Sequence, residues 1–402
     1  MLAITGCNSA AGPNQGANPT ATSTPKPPTT FTMKTPKGGV DALLTKDAVA
    51  FTAKGGAIDS VEVTRADGAP LTTTADDAGL VATWTRSSTT WQLKGVLGPK
   101  TAYRAKVTGH NADGAKASKT FAFTTKAAPL VQTRMNPGDD QVVGVGMPIQ
   151  VRFSTKVPNR ALVERRLTVT TKPAVTGSWG WLDDRTVMWR PKDFWPAGTK
   201  VDAAVDLTGQ HLGKGVFGGT KRTIAFSVGR DLRMSIDDAS HSMTVTQAGK
   251  QVQRFPVSLG KPGHTTRSGT KIIYEKATPY TMRGTTAADP YVTTVKHAQR
   301  ITDSGEFLHG APWSVGAQGR RNVSHGCTNL SPGAAAWLYG RTVMGDPVIT
   351  KGTGRQAETW NGLGGIWNYS WADWQKQSAI TPKKAKPSPA KPVKPTTAPK
   401  AA

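Results

Sequence analysis

Cys327 is the only cysteine outside the first ten residues, and it sits in the run Ser324-His325-Gly326-Cys327-Thr328-Asn329-Leu330. A free thiol titrates near pH ~8.5 and is only a few per cent thiolate at neutral pH, so a thiol that does chemistry needs a base. Histidine is the usual helper. Two of the seven histidines lie close by in the chain: His325, two residues before Cys327, and His309, eighteen before. Residues two apart can share a strand face. Residues eighteen apart can sit on neighbouring strands joined by one loop, and residues 310–319, rich in Gly, Pro and Ser, have the composition of that loop. The chemistry these residues offer is nucleophilic acyl transfer. The plain alternative is a buried cysteine packed beside a structural histidine. Metal binding lacks a third and fourth ligand, and two cysteines in all (Cys7 and Cys327) exclude a disulfide-rich scaffold or a Cys-rich zinc site.

The elements that must position this run are strands. From Arg230 onward Met234 and Ile236 alternate with polar neighbours, as do Met243 and Val245; Ala248-Gly249-Lys250 marks a turn before Val252, Phe255, Val257 and Leu259. Ile272, Ile273 and Tyr274 form a further apolar strand, and Val348-Ile349-Thr350 a closing one. One helix is expected, with Ser331 as N-cap and Pro332 in its first turn. Upstream, two stretches show short strands and frequent turns. In the first, Val61 and Val63 alternate, the run Leu97, Pro99, Thr101, Tyr103, Ala105, Val107 reads as one strand, Asn111-Ala112-Asp113-Gly114 as a turn, and Phe121 and Phe123 close the segment. In the second, Ile149, Val151 and Phe153 alternate, and Trp179, Trp181, Trp189 and Trp195 read as core. Both stretches predict β-sandwiches that position a working domain and carry no chemistry of their own.

The pattern of His309-Gly310, Ser324-His325-Gly326-Cys327 and Asn329-x-Ser331-Pro332, with Phe307-Leu308 before and Ala311-Pro312-Trp313-Ser314 after the first histidine, resembles the L,D-transpeptidases with a YkuD-type catalytic domain. It is most similar to actinobacterial members that carry two immunoglobulin-like domains. Gly362-Leu363-Gly364 with Trp367, Trp371 and Trp374 resembles their Trp-rich end, which folds back on the catalytic domain, so these tryptophans are expected to pack. The resemblance implies a mainly β fold: 1–34 a truncated signal, lipobox and linker; 35–127 and 128–229 immunoglobulin-like β-sandwiches; 230–351 the mostly β catalytic domain; 352–378 a Trp-rich subdomain; and 379–402 a Lys/Pro/Ala tail. It also implies Cys327 as nucleophile and His309 as base, oriented by a carbonyl near Gly310. Ser324 and His325 would shape the site, Gly326 would allow close approach of substrate, and N–H groups of Gly326 and Cys327 would bind the oxyanion. Tyr291, Met282, Trp313 and Asn329 match substrate-pocket positions. The segment Thr265-Thr266-Arg267-Ser268-Gly269 departs from the Thr-Pro-x-Gly form common in the family.

The implied reaction cross-links peptidoglycan stem peptides without a metal or organic cofactor, through a thiol that carbapenem-type β-lactams would acylate. Hydrolysis of the same acyl-enzyme (an L,D-carboxypeptidase) and a non-catalytic wall-binding lipoprotein remain as alternatives. The chain carries 51 Lys and Arg against 26 Asp and Glu, a net charge of +25. The basic residues are spread along it, with a cluster at the end, and no nucleic-acid motif accompanies them, so polyanionic wall surroundings fit better than nucleic acid. No apolar run approaches the ~20 residues of a membrane span. Ile4-Thr5-Gly6-Cys7 resembles a lipobox, with Cys7 as the lipidated residue, followed by a Pro- and Thr-rich tether. The expected location is the outer face of the cytoplasmic membrane and the cell wall, held by that lipid.

Overall fold

The computed structural model describes residues 24, 26–37, 39–44, 49–68, 82–284 and 291–380. Cys7, most of the expected leader and linker, and the tail beyond residue 380 lie outside them; the strand Thr30–Lys34, expected as linker, belongs to the first sheet. The described chain is mainly β and falls into two compact units, one ending at Ala127 and one running on from Ala128.

The first unit packs a sheet built on Thr30–Lys34, Ala50–Lys54 and Thr90–Val96 against one of Gly56–Arg65, Ala102–Asn111 and Lys116–Thr124. Period-2 alternation puts Tyr103, Ala105 and Val107 inward, where they meet Phe51, Trp91 and Leu93 in one core. The run from Leu97 is not a single strand. The strand starts only at Ala102, because the Tyr103 hydroxyl accepts from Gly98 N–H at 2.7 Å and folds residues 97–101 into a corner.

The second unit opens with another sandwich. One sheet runs Thr133–Asn136, Ile149–Phe153, Thr186–Pro191, Gly177–Trp181, and the other Val142–Val143, Arg222–Val228, Lys200–Val205, Leu167–Lys172. Trp179, Trp181, Trp189 and Trp195 are all buried in its core, with Trp189 and Trp195 stacked at 5.0 Å.

The remainder of this unit carries the Cys327 run. A five-stranded sheet has the order Lys250–Pro256, Ser242–Gln247, Leu232–Asp237, Pro347–Lys351, Gly269–Ile272. The last strand in sequence thus lies inside the sheet, parallel to the first. The apolar strand expected over Ile272–Tyr274 ends at Ile272, and Val252 turns outward on an edge strand while Val257 and Leu259 are fully buried. A second sheet runs Glu275–Ala277, Ala298–Arg300, Phe307–Gly310, Thr328–Leu330. The two sheets share a core with the helix Pro332–Arg341, whose Ala334, Ala335 and Leu338 face inward. Ser331 caps that helix, its hydroxyl accepting from Ala334 N–H at 3.2 Å.

The Trp-rich end does not fold on the catalytic strands alone. Asn368 bonds both backbone groups of Thr270 there, but Trp367 donates to the Gly146 carbonyl at 2.8 Å and Trp374 to the Ser178 carbonyl at 3.0 Å, both in the second sandwich. Gly180 makes this possible: a Cβ there would lie 2.7 Å from the Trp374 ring.

Candidate active site

The strands Phe307–Gly310 and Thr328–Leu330 pair in parallel with His309 opposite Asn329, which puts the two side chains on one face. Cys327 stands one residue before the second strand. The chain reaches it through a bend rather than along a strand, because Gly326 holds φ at +117°, a region L side chains rarely adopt. That bend separates the neighbours expected to share a face: His325 is exposed and Cys327 is 4% exposed. A Cβ on Gly326 would meet no atom of the protein closer than 3.6 Å, so what the fold itself asks of this glycine is the backbone turn.

Side-chain hydroxyls fasten the bend. Ser324 Oγ donates to the Cys327 carbonyl at 2.6 Å and accepts from Gly326 N–H at 3.1 Å. Thr266 Oγ1 donates to the Gly326 carbonyl at 2.8 Å and accepts from Gly260 N–H at 2.9 Å. The Gly326 N–H expected to face an oxyanion is therefore engaged by Ser324. The segment around Thr266, where the sequence departs from the family form, backs the cysteine loop.

The carbonyl of Gly310 lies 3.0 Å from His309 Nδ1. A carbonyl only accepts, so Nδ1 carries the proton and Nε2 presents a lone pair. Burial holds His309 below the ordinary histidine value, opposed by that bond, and keeps it neutral at pH 7. Burial likewise pushes the Cys327 thiol up to about 12, with the Phe307 N–H working against the rise and the Glu306 charge adding to it. The thiol donates to the Gly305 carbonyl at 3.7 Å. The resting pair is thus a neutral thiol and a neutral imidazole.

A cavity of about 310 Å³ joins these groups to the other residues singled out in the sequence. Cys327, His309, Ser324, His325 and Asn329 line it together with Met282, Tyr291 and Trp313. Met282 and Tyr291 come from the hairpin Tyr280–Arg283 and Val292–Val295, whose connection over 285–290 lies outside the described residues. Trp313, 59% exposed, forms one lip beside the His309 ring. Asn329 is buried, its Nδ2 donating to Ser314 Oγ at 3.1 Å. His325 accepts at Nε2 from Lys261 Nζ at 3.0 Å and lies against the Tyr291 ring, tilted by 32° at 4.7 Å.

Sequence reasoning missed the charges behind the thiol. Glu306 lies between Gly305 and Phe307, the two residues whose backbone meets the sulfur. Its Oε1 accepts from Arg267 N–H and Nη1, both at 3.0 Å, and its Oε2 from Lys271 Nζ at 3.4 Å. Arg267 also binds Glu358 at 2.6 Å. Lys271 is 1% exposed. A lone Lys in a strand reads as a solvated face, so only the fold reveals it. Among the described residues no group of three or more His, Cys, Asp or Glu is placed to hold a metal ion, and no helix is long and apolar enough to cross a membrane.

Residues 233–350 match the L,D-transpeptidase catalytic domain family (YkuD), and residues 41–211 match the bacterial Ig domain family. L,D-transpeptidase 2 of Mycobacterium tuberculosis is 36% identical over 344 residues, 84% of this chain and 82% of that protein. The chain belongs to the L,D-transpeptidase family. A further relative, L,D-transpeptidase 5 of Mycobacterium tuberculosis, is 34% identical over 76% of this chain and 69% of its own. Among solved structures, L,D-transpeptidase 3 from Mycobacterium tuberculosis in complex with a faropenem-derived adduct is 32% identical, covers 56% of this chain and 98% of that one, and has a TM-score of 0.47. This L,D-transpeptidase is an acyltransferase of peptidoglycan, with its catalytic domain preceded by Ig-like structure.

Proposed function

We propose that Cys327 and His309 carry the transpeptidation as a nucleophile and its base. His309 Nε2 takes the S–H proton as sulfur attacks the carbonyl joining the diamino acid of a donor tetrapeptide stem to its terminal D-Ala. The C–N bond breaks, His309 returns the proton to the leaving amine, and D-Ala departs from a thioester. The side-chain amine of an acceptor stem then attacks that thioester. His309 accepts the amine's proton and hands it back to sulfur, and an amide joins the third residues of the two stems. The observation that carries this reading is the Gly310 carbonyl on Nδ1, which leaves His309 a single basic nitrogen in the cavity that holds the thiol. Delivering the proton directly matters because a thiol with a pKa of about 12 has almost no thiolate of its own at pH 7.

Met282, Tyr291, Trp313 and Asn329 form the walls that would hold the donor stem, and Ser324, Gly326 and His325 keep the cysteine loop in place. With Gly326 N–H engaged, the Cys327 N–H is the backbone donor left for the oxyanion. The same thiol would open the ring of a carbapenem-type β-lactam and keep it as a thioester. A lipid on Cys7 would hold the protein at the outer membrane face within reach of the wall; the lipobox-like run and the Pro- and Thr-rich stretch after it support that reading.

Incubation with a purified disaccharide tetrapeptide tests the function. The expected product is a dimer lighter than two monomers by one D-Ala, absent with Cys327→Ala. Tripeptide monomer without dimer would replace this reading with the carboxypeptidase, and no product from folded protein would replace it with the wall-binding one.

A further inference from the structure

Two backbone groups meet the Cys327 sulfur: the Gly305 carbonyl, which accepts the thiol at 3.7 Å, and the Phe307 N–H. Both belong to the peptide units that flank Glu306. Gly305 holds φ at +96°, and its N–H donates to the Thr302 carbonyl at 3.3 Å. The Glu306 N–H donates to Thr302 Oγ1 at 2.8 Å. These bonds shape the turn, and the Glu306 side chain ties it to the cysteine loop. Its Oε1 accepts from the Arg267 N–H and Nη1, and Thr266, one residue earlier, donates to the Gly326 carbonyl. One carboxylate oxygen thus joins the turn that touches the sulfur to the segment that fastens the sulfur's own loop.

Glu306, Arg267 and Lys271 are all buried; Arg267 has Glu358 as a second partner, and its carbonyl accepts from Lys271 Nζ. Desolvating these charges opposes folding, and apolar residues of similar volume often pack as well or better. Stability alone therefore does not account for the cluster. It also stands on residues 265–269, where the sequence departs from the form common in the family.

We propose that Glu306 is a positioning residue: held by Arg267, it fixes both of its peptide units against the Cys327 sulfur and so sets where the sulfur stands when it attacks. This rests on the reading of Cys327 as the nucleophile. Glu306 does not line the cavity that holds the thiol, so its effect falls on the rate of attack and not on the hold on substrate. A displacement of ~1 Å at a reacting group slows the reaction by about a hundredfold.

Two double variants separate this role from a structural one. Glu306→Gln with Lys271→Met keeps an oxygen for the Arg267 donors; Glu306→Leu with Lys271→Met removes it. Both lack the Glu306 and Lys271 charges and both leave Arg267 its partner Glu358, so they differ in that acceptor alone. The single-turnover rate constant for adduct formation on Cys327 is measured against reagent concentration, once with a carbapenem and once with a donor tetrapeptide acetylated on its side-chain amine. A rate constant, unlike an amplitude, is unaffected by an unfolded fraction. The Leu variant should saturate about 10–100-fold more slowly than the wild-type protein, at a half-saturating concentration within about twofold of it, and the Gln variant should stay within about threefold of the wild-type rate. Equal saturating rates in the two variants, or a loss confined to the half-saturating concentration, overturns the proposal. A carbapenem rate that separates the variants in a protein that forms no stem adduct sustains it while removing the transpeptidase reading. No adduct from either reagent on the wild-type protein overturns both.

Discussion

Burial drives both members of the Cys327 and His309 pair toward their neutral forms, and that sets how the site responds to pH. With His309 depressed below ~6.5, its base form persists through neutral pH, so turnover should hold down to mildly acidic pH and fall only as His309 protonates. The same depression is a stability term. It is present above the unfolded value of ~6.5 and is lost as pH falls through the lower folded value. His309→Ala should reduce acylation by about 10²–10⁴-fold. In that variant, iodoacetamide labelling of Cys327 should climb about tenfold per pH unit from pH ~7 to ~9 without levelling, as a thiol of high pKa requires. A plateau near pH ~8.5 would mean the thiol is not desolvated. Cys327 and His309 stood out by residue type and spacing, and the family resemblance singled out Met282, Tyr291, Trp313 and Asn329; the fold brings all six to one cavity. Arg267, Lys271 and Glu306 were not legible, since a charged residue is normally solvated and nothing local marks these as buried.

The cysteine loop depends on backbone geometry and hydroxyls more than on packing. Gly326→Ala would force an L side chain to φ +117°, at about 1–3 kcal/mol, although the space for a methyl exists. Acylation should therefore slow far more than the thermal midpoint falls, measured side by side; an unchanged rate would contradict the strained-turn account. Lys271→Ala should unfold the protein more readily, by about 3–5 kcal/mol in chemical denaturation, because it leaves Glu306 buried with one cationic partner fewer. Alternation located the strands around Met234, Met243, Ile149 and Phe123, and the Ser331-Pro332 pair located the helix. It failed at residues 97–101, where a hydroxyl-to-backbone bond from Tyr103 overrides the period, and at Val252, where an edge strand turns an apolar side chain outward.

In the larger unit, one buried arginine ties two distant stretches of chain together. Arg190 is 2% exposed, donates to the carbonyls of Pro191, Lys192 and Tyr369, and lies over the rings of Trp367, Trp371 and Trp374 at 4.7, 5.3 and 5.6 Å. Burial lowers its pKa to about 10, still cationic at physiological pH. The Trp spacing in the sequence announced packing, but the partner surface is non-local and could not be read from it. Trp374→Ala should cost about 3–5 kcal/mol, seen as a lower denaturation midpoint. A fragment of residues 128–380 should fold alone and keep transpeptidase activity, because the sandwich, the catalytic strands and the Trp-rich end form one compact unit; loss of activity in a folded fragment would contradict that. The most direct test of the whole account is quenched-reaction mass spectrometry of the intact protein with a donor tetrapeptide whose side-chain amine is acetylated, so that it cannot act as acceptor. The account predicts a mass gain equal to the donor minus D-Ala, mapped to Cys327, absent in Cys327→Ala and formed far more slowly in His309→Ala. A gain that survives Cys327→Ala, or that maps to any other residue, would contradict it.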